Sequence, residues 1–347
     1  MQKIDSHIIR RYVKPYHTIP YYTMGIKHLN QFLRKECSEA IRVMALNELS
    51  GRTVVVDASI FMYRFIADGA LLENMYSMLS FFKMHDIVAL FIFDGKPPEE
   101  KRKTLHKRSR LKRIAELQYN RLMDDTNTNN INNMNNINTS NAATLKALRR
   151  RFIRVSDADF DRVKTLLRAF GVQYVVAGGE ADALCAQMVI KRKAYACVSD
   201  DTDLFVYGCC RVLRHINLFD QTVTMYDMHK MLHILGITMT EFRQICVISG
   251  TDYLHGLKLK TAIGLFKHFK KCGQDAEERG DVFAPDFYTW LHHTQGDRFD
   301  YDNTITVYNM FETMPTHLAS TFVPANASRN DALLHEVMAH ENFIFVV

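Results

Sequence analysis

Seven carboxylates carry most of the chemistry this sequence offers. Asp57 directly follows Val54-Val55-Val56, and Asp94 directly follows Phe91-Ile92-Phe93. Asp201 and Asp203 stand in Ser199-Asp200-Asp201-Thr202-Asp203, behind an apolar run that ends near Val198. Glu180 and Asp182 lie in Gly178-Gly179-Glu180-Ala181-Asp182, after Val172–Val176, and Asp252 lies in Gly250-Thr251-Asp252-Tyr253. Each has a plainer reading when taken singly. Glu180 and Asp182 suit a helix's first turn, Asp201 or Asp203 suits a cap, and a lone Asp after a strand is usually a turn residue. Turn chemistry does not, however, require a carboxylate at every strand end. Two like charges ~4 Å apart repel by roughly 4 kcal/mol at an effective dielectric of 20. A converged cluster must therefore take up protons or hold cations. All-oxygen ligation without His or Cys selects hard ions, magnesium or manganese. A divided cluster suits two ions about 3.5–4 Å apart, the arrangement that activates water and stabilises a leaving oxygen on phosphodiesters.

The elements that must position these groups follow from hydrophobic patterning. Thr53–Val56, Val88–Phe93, Val172–Val176, Tyr195–Val198 and Val212–His215 read as short buried strands. Helical patterns lie between them over Ser59–Met84, Asp157–Phe170 and Ala181–Lys191. Alternation of this kind argues for an α/β fold, a mainly parallel sheet with helices on both faces. Ligands in such sheets bind outside the carboxyl ends of the strands, where the acidic residues fall. An amphipathic helix is expected over Gly25–Ala45, and helices alone beyond about residue 227: Asp227–Leu235, Glu241–Ser249, Thr261–Phe269 and Arg329–His340.

Charge is concentrated in one place. Lys101–Arg113 holds eight Lys/Arg and no acid, and Arg149, Arg150, Arg151 and Arg154 resume it. Between them, residues 127–141 contain nine Asn in fifteen positions, too few apolar groups to fold, so a disordered insert is expected inside a basic hairpin-like excursion. The chain divides accordingly into 1–23, an extension of unknown order; 24–125, a block ending in the basic excursion; 126–141, the insert; 142–270, the second acidic block; and 271–347, mainly helical. With 347 residues, 47% of them hydrophobic, the chain can build a large core without staples. Seven Cys with no C-x-x-C pair argue against a disulfide framework or zinc site. No apolar run approaches the ~20 residues that span a bilayer, so no membrane partner is expected. Met1–Thr23 lacks the apolar stretch of a secretory signal.

Read together, these residues resemble the XPG/flap endonuclease family of structure-specific 5′ nucleases. The resemblance rests on Met24-Gly25-Ile26-Lys27-His28-Leu29, on Val56-Asp57-Ala58-Ser59 followed by Tyr63, and on Phe93-Asp94-Gly95-Lys96-Pro97-Pro98. It continues in Gly179-Glu180-Ala181-Asp182-Ala183, where Asp182 replaces the usual Glu, in Ser199–Asp203 and in Gly250–Tyr253. It implies a PIN-like nuclease core, a helical arch and a C-terminal helix–hairpin–helix region. It also implies a magnesium-dependent endonuclease that cuts branched DNA near the single- to double-strand junction, leaving a 5′-phosphate and a 3′-hydroxyl. Asp57, Asp94, Glu180 and Asp182 would hold one magnesium ion, and Asp201, Asp203 and Asp252 would hold or orient a second, with manganese as a substitute. Lys101 and Arg108 match the basic pair at the base of the arch that contacts the scissile phosphate. Their plainer reading is a solvated basic helix face; the register with Asp94 favours function. Tyr63 matches an aromatic that stacks on a base, and the reading as an ordinary core aromatic stays equally open.

Departures from the family pattern shape the rest. In the hairpin Gly256-Leu257-Lys258-Leu259-Lys260-Thr261-Ala262, Lys258 stands where Gly is usual and Leu259 where Pro is usual. A Lys forced to positive φ is strained, so either the loop is rebuilt or the potassium-type site is lost; Lys258, with Lys260, would then contact duplex phosphate as a point charge. Met1–Thr23 precedes the family's usual start, leaving open initiation at Met24 or an extension that folds away. With a start at Met24, Leu29 stands where a myristoylation signal needs Ser or Thr. No sliding-clamp motif or basic tail is present, so clamp recruitment is not expected, and the protein reads as a monomer of the nucleus. The Asn-rich sequence and trimmed tail point to a large DNA virus or a divergent eukaryotic microbe, where the replication site takes the place of the nucleus. A 5′→3′ exonuclease uses the same acidic site and stays open. A non-catalytic branched-DNA-binding protein would not need seven carboxylates, and a ribonuclease with a related acidic sheet would lack the basic arch.

Overall fold

The alternation of side chains along the central strands sorts one sheet into two cores. In the computed structural model, which describes residues 25–132, 139–313 and 328–339, the strands are β1 (Ile41–Ala45), β2 (Thr53–Asp57), β3 (Val88–Phe93), β4 (Gln173–Val176), β5 (Ala196–Val198), β6 (Arg211–Asn217) and β7 (Thr222–Asp227). Val54, Val56, Phe91, Phe93 and Val198 face one core, with the helices Ala58–Ala67, Leu71–Met84, Asp157–Phe170 and Asp331–Ala339. Val55, Leu90, Ile92 and Cys197 face the other, with Leu29–Glu36, Ala181–Ile190 and the helices between residues 228 and 312. Burial on both faces explains why these strands read as continuous apolar runs.

The strand order is β1-β7-β6-β5-β2-β3-β4. The five strands from β6 to β4 pair in parallel, while β7 pairs antiparallel with both β6 and β1. Strands β2, β3 and β5 therefore point their carboxyl ends the same way, with β2 central. Local chemistry fixes the crossover helices. Asp157–Phe170 opens on a Ser156–Asp159 capping box and closes on Gly171 at φ 71°.

Three expectations are corrected. The helix expected over Gly25–Ala45 stops at Glu36, and Ile41–Ala45 is instead an edge strand on β7. Pairing with a neighbour far along the chain overrides the local pattern there. The single helix expected over Ser59–Met84 is two, broken around Gly69 at φ 71°. The Asn-rich stretch is helical on both flanks: one helix runs Arg102–Asn132 and the next Thr139–Arg151. These two pack on each other, with the Tyr119 and Phe152 rings 5.4 Å apart and Arg154 bonded to Glu116 at 2.8 Å. Mutual support carries the helices beyond what composition alone sustains; residues 133–138 lie outside the described residues. So do residues 1–24, 314–327 and 340–347, which include the N-terminal extension. Among the described residues no single helix is long and apolar enough to cross a membrane.

Candidate active site

Each of the seven carboxylates is delivered by the end of an element. Asp57 closes β2, and Asp94 lies one residue past β3. Glu180 is the N-cap residue of the helix Ala181–Ile190, and Asp182 is in its first turn. Asp201 and Asp203 follow β5, and Asp252 sits in the turn after the helix Met239–Ile248. Two glycines let these ends meet. A Cβ at Gly95 would lie 1.9 Å from the Ala177 carbonyl oxygen, and Gly95 N–H donates to the Gly179 carbonyl at 2.7 Å. Gly25, at φ 74°, sits so close to the 201–203 loop that a Cβ would meet oxygens of Thr202, Asp201 and Asp203 at 2.3–2.6 Å. Ile26 N–H donates to Thr202 Oγ1 at 2.9 Å, fixing that approach.

The carboxylates fall into two groups. The inner group is Asp57, Asp182, Asp201 and Asp203. Ser199 Oγ donates to Asp57 at 2.9 Å, and the Asp203 N–H donates to Asp201 at 2.9 Å. One oxygen each of Asp182 and Asp203 is buried without any hydrogen-bond partner. Burial, then the charges of Asp94 and Asp201, push the Asp57 carboxyl up to about 8. Burial and neighbouring carboxylates likewise hold Asp182 and Asp203 well above the usual range and raise Asp201. Repulsion of this kind is what a cation relieves.

The outer group is Glu180 and Asp252, and it already has counter-ions. Arg108 donates to both Asp252 oxygens at 2.7 and 2.8 Å. Lys101 Nζ bonds Glu180 and stands 3.3 Å from Asp252. Thr104 Oγ1 donates to the Asp252 carbonyl at 2.5 Å, and the Tyr253 hydroxyl donates to Glu180. Burial pulls the Lys101 ammonium down, but Glu180, Asp252 and Asp182 more than offset it, and the net direction is up. Asp94 bridges the groups and accepts from the Ala181 N–H at 2.8 Å, at a helix N-terminus.

Among the described residues no three Asp, Glu, His or Cys side chains stand, as placed, in an arrangement that could hold a metal ion. The inner donors nevertheless fit a hard cation: all are carboxylate oxygens, and two of those oxygens have no partner. Tyr63 lies half-buried beside this cluster, its hydroxyl pushed up by burial and by Asp94. Lys112 Nζ stands 5.0 Å from the centre of its ring. Lys258 and Lys260 are exposed at the start of the helix Leu259–Arg279, on the hairpin. Lys258 adopts φ −68°, so the strain expected from Lys at this position is absent. Gly250, at φ 93°, takes the left-handed conformation instead, and a Cβ at Gly256 would lie 2.1 Å from its nitrogen.

Sequence reasoning missed several members of this site. Ser199 and Tyr253 were inside quoted motifs but had no assigned task. Lys112 was submerged in the basic run. Asp200, in the middle of the acidic motif, turns away: it pairs with Arg64 at 3.4 Å and accepts from the His215 N–H at 2.8 Å. The buried Arg214 bonds the Asp200 carbonyl and Asn30, anchoring the loop from behind.

Comparison with known proteins identifies the family. Residues 24–115 match the XPG N-terminal domain, and residues 171–252 match the XPG I-region. The chain is 31% identical over 269 residues to Flap endonuclease 1 of Mycosarcoma maydis, covering 71% of this chain and 68% of that protein. It is 32% identical over 270 residues to Flap endonuclease 1 of Komagataella phaffii, covering 72% and 68%. Among solved structures, the catalytic core of Rad2 in complex with DNA substrate superposes with a TM-score of 0.61 at 20% identity, covering 91% of this chain and 94% of that one, a likeness of fold.

Proposed function

Since the chain belongs to the XPG/flap endonuclease family and is a structure-specific endonuclease acting on flapped DNA, we propose that it is magnesium-dependent and hydrolyses phosphodiester bonds at 5′ flap and branch junctions. The observation that carries this reading is the inner group: the buried Asp57, Asp201 and Asp203 and the half-buried Asp182, without an ion pair of their own, beside two cations held at their rim. A non-catalytic scaffold has no use for buried oxygens left unsatisfied, each of which costs stability.

Asp57, Asp94, Glu180, Asp182, Asp201, Asp203 and Asp252 are the residues that would hold two magnesium ions, or manganese in their place. Bound there, the ions would supply a nucleophilic hydroxide and neutralise the leaving oxygen. The protein's own groups do the rest. Lys101, keeping its Glu180 contact, and Arg108, released from Asp252, meet the phosphate and stabilise charge as it develops. Asp94 stays aligned by the Ala181 N–H, and Ser199 holds Asp57. Tyr63 presents a ring to a base at the junction, and Lys258 and Lys260 meet the duplex backbone. The working place is the nucleus, in replication, repair or recombination.

The test is cleavage of a 5′-labelled flap duplex with and without magnesium, beside a 5′-labelled blunt duplex. A magnesium-dependent product at the flap junction is expected. Single-nucleotide release would replace this reading with the 5′→3′ exonuclease, and binding without any product would overturn it.

A further inference from the structure

We propose that Tyr253 is a positioning residue for this reaction: its hydroxyl fixes Glu180, and through Glu180 it sets where the Lys101 ammonium stands. The inference rests on the proposed nuclease reading but on different observations. Glu180 occupies a helix N-cap position, yet its side chain makes no capping bond. The Ala181 N–H of that helix goes to Asp94 instead. Both Glu180 oxygens are spoken for elsewhere, Oε1 by Lys101 and Oε2 by the Tyr253 hydroxyl. The carboxylate is therefore a link between a phenol and an ammonium.

Tyr253 is built to hold its end of that link still. Its turn is pinned by Thr251, whose Oγ1 accepts from the Tyr253 and Leu254 N–H groups at 3.1 and 3.2 Å. Its ring packs edge-on against the fully buried Phe311, with centroids 5.6 Å apart. Lys101 Nζ lies 5.9 Å from the centre of the same ring, so Tyr253 meets the lysine both directly and through Glu180. A phenylalanine would keep both ring contacts and lose only the hydroxyl. Glu180 would then be free to turn, and Lys101 would lose its fixed partner. Partners one step behind a reacting group are typically worth about 10–100-fold in activity.

The experiment compares the full chain with its Tyr253→Phe variant in two ways. In the first, without metal or DNA, the acylation rate of Lys101 is mapped by peptide mass spectrometry. Lys101 is 14% exposed and ion-paired, and labelling is expected to be faster in the variant, where only Asp252 still holds the ammonium. In the second, the single-turnover rate on flap DNA is expected to fall about 10–100-fold, with DNA affinity in EDTA and the melting temperature unchanged. Placed in a Glu180→Gln background, Tyr253→Phe is expected to add less than about twofold, the signature of a shared path. Unchanged Lys101 labelling, a melting temperature that falls with the rate, or a full additive loss in the Glu180→Gln background would each overturn the proposal. A wild-type chain that never cuts flap DNA would sink the nuclease reading instead, since the labelling experiment needs no cleavage.

Discussion

The inner and outer carboxylates lie in one cluster and differ in their counter-ions. Asp57, Asp182, Asp201 and Asp203 are crowded without a cation, and burial with mutual repulsion drives their carboxyls upward. Burial pushes Glu180 up as well, yet Lys101, closing the turn Glu99–Lys101, pairs with both Glu180 and Asp252, and Arg108, on the helix Arg102–Asn132, pairs with Asp252. The first group depends on what it imports; the second is complete at rest. What separates the groups is whether the fold already supplies the positive partner.

Mutations on the two sides should separate them by size. Asp201→Ala, on the inner side, is expected to cut cleavage more than about a thousandfold, roughly 4 kcal/mol of barrier, while flap binding in a gel-shift assay persists. Unaltered cleavage in that variant would erase the distinction. Arg108→Ala, on the outer side, is expected to slow single-turnover cleavage about a hundredfold, with the magnesium concentration for half-maximal rate unchanged. A shift in that concentration would move Arg108 from phosphate contact to metal retention.

Proton linkage gives a subtler contrast. In the metal-free fold the Asp57 carboxyl binds its proton more tightly than in the unfolded chain, with a value of about 8 against an ordinary 3.8. Its stabilising contribution is therefore complete at the acid end and fades as pH climbs through about 8. Thermal melts in EDTA should show a lower melting temperature at pH 8.5 than at pH 5.5, and magnesium should narrow the gap. A flat EDTA profile would mean that the inner group is already neutralised. The smallest effect belongs outside both groups: Lys258→Ala should weaken duplex binding modestly and reduce the salt slope of binding by about one, leaving the cleavage rate at saturating DNA intact.

What the sequence made legible follows from range. Val54–Val56 and Val88–Phe93 announced themselves because a strand buried on both faces is apolar throughout, and the carboxylates behind them fell at the strand ends by simple adjacency. The edge was harder. Ile41–Ala45 and Thr222–Asp227 define each other by pairing across more than half the chain, and neither carries enough local pattern to be read alone. The helix through Asn132 was hidden for the same reason, since its support comes from a returning partner. Within the site, Asp252 was visible but its allegiance was not. Its partners Lys101 and Arg108 lie about 150 residues upstream, and no spacing rule connects them.

The helix Asp331–Ala339 carries a consequence for how the molecule is made. Leu334 and Met338 lie fully buried in the same core as Phe91 and Phe93, and Asn330 N–H donates to the Ala169 carbonyl at 2.8 Å. All seven carboxylates have left the ribosome well before this helix is synthesised. During translation the sheet face is already covered by Ala58–Ala67, Leu71–Met84 and Asp157–Phe170, but the side of Asp157–Phe170 that receives the last helix waits uncovered, an interval in which chaperones have something to hold. Only when residue 339 has emerged can that core close, and a protease or a premature stop acting before then would leave a chain with all seven carboxylates and an unfinished outer layer.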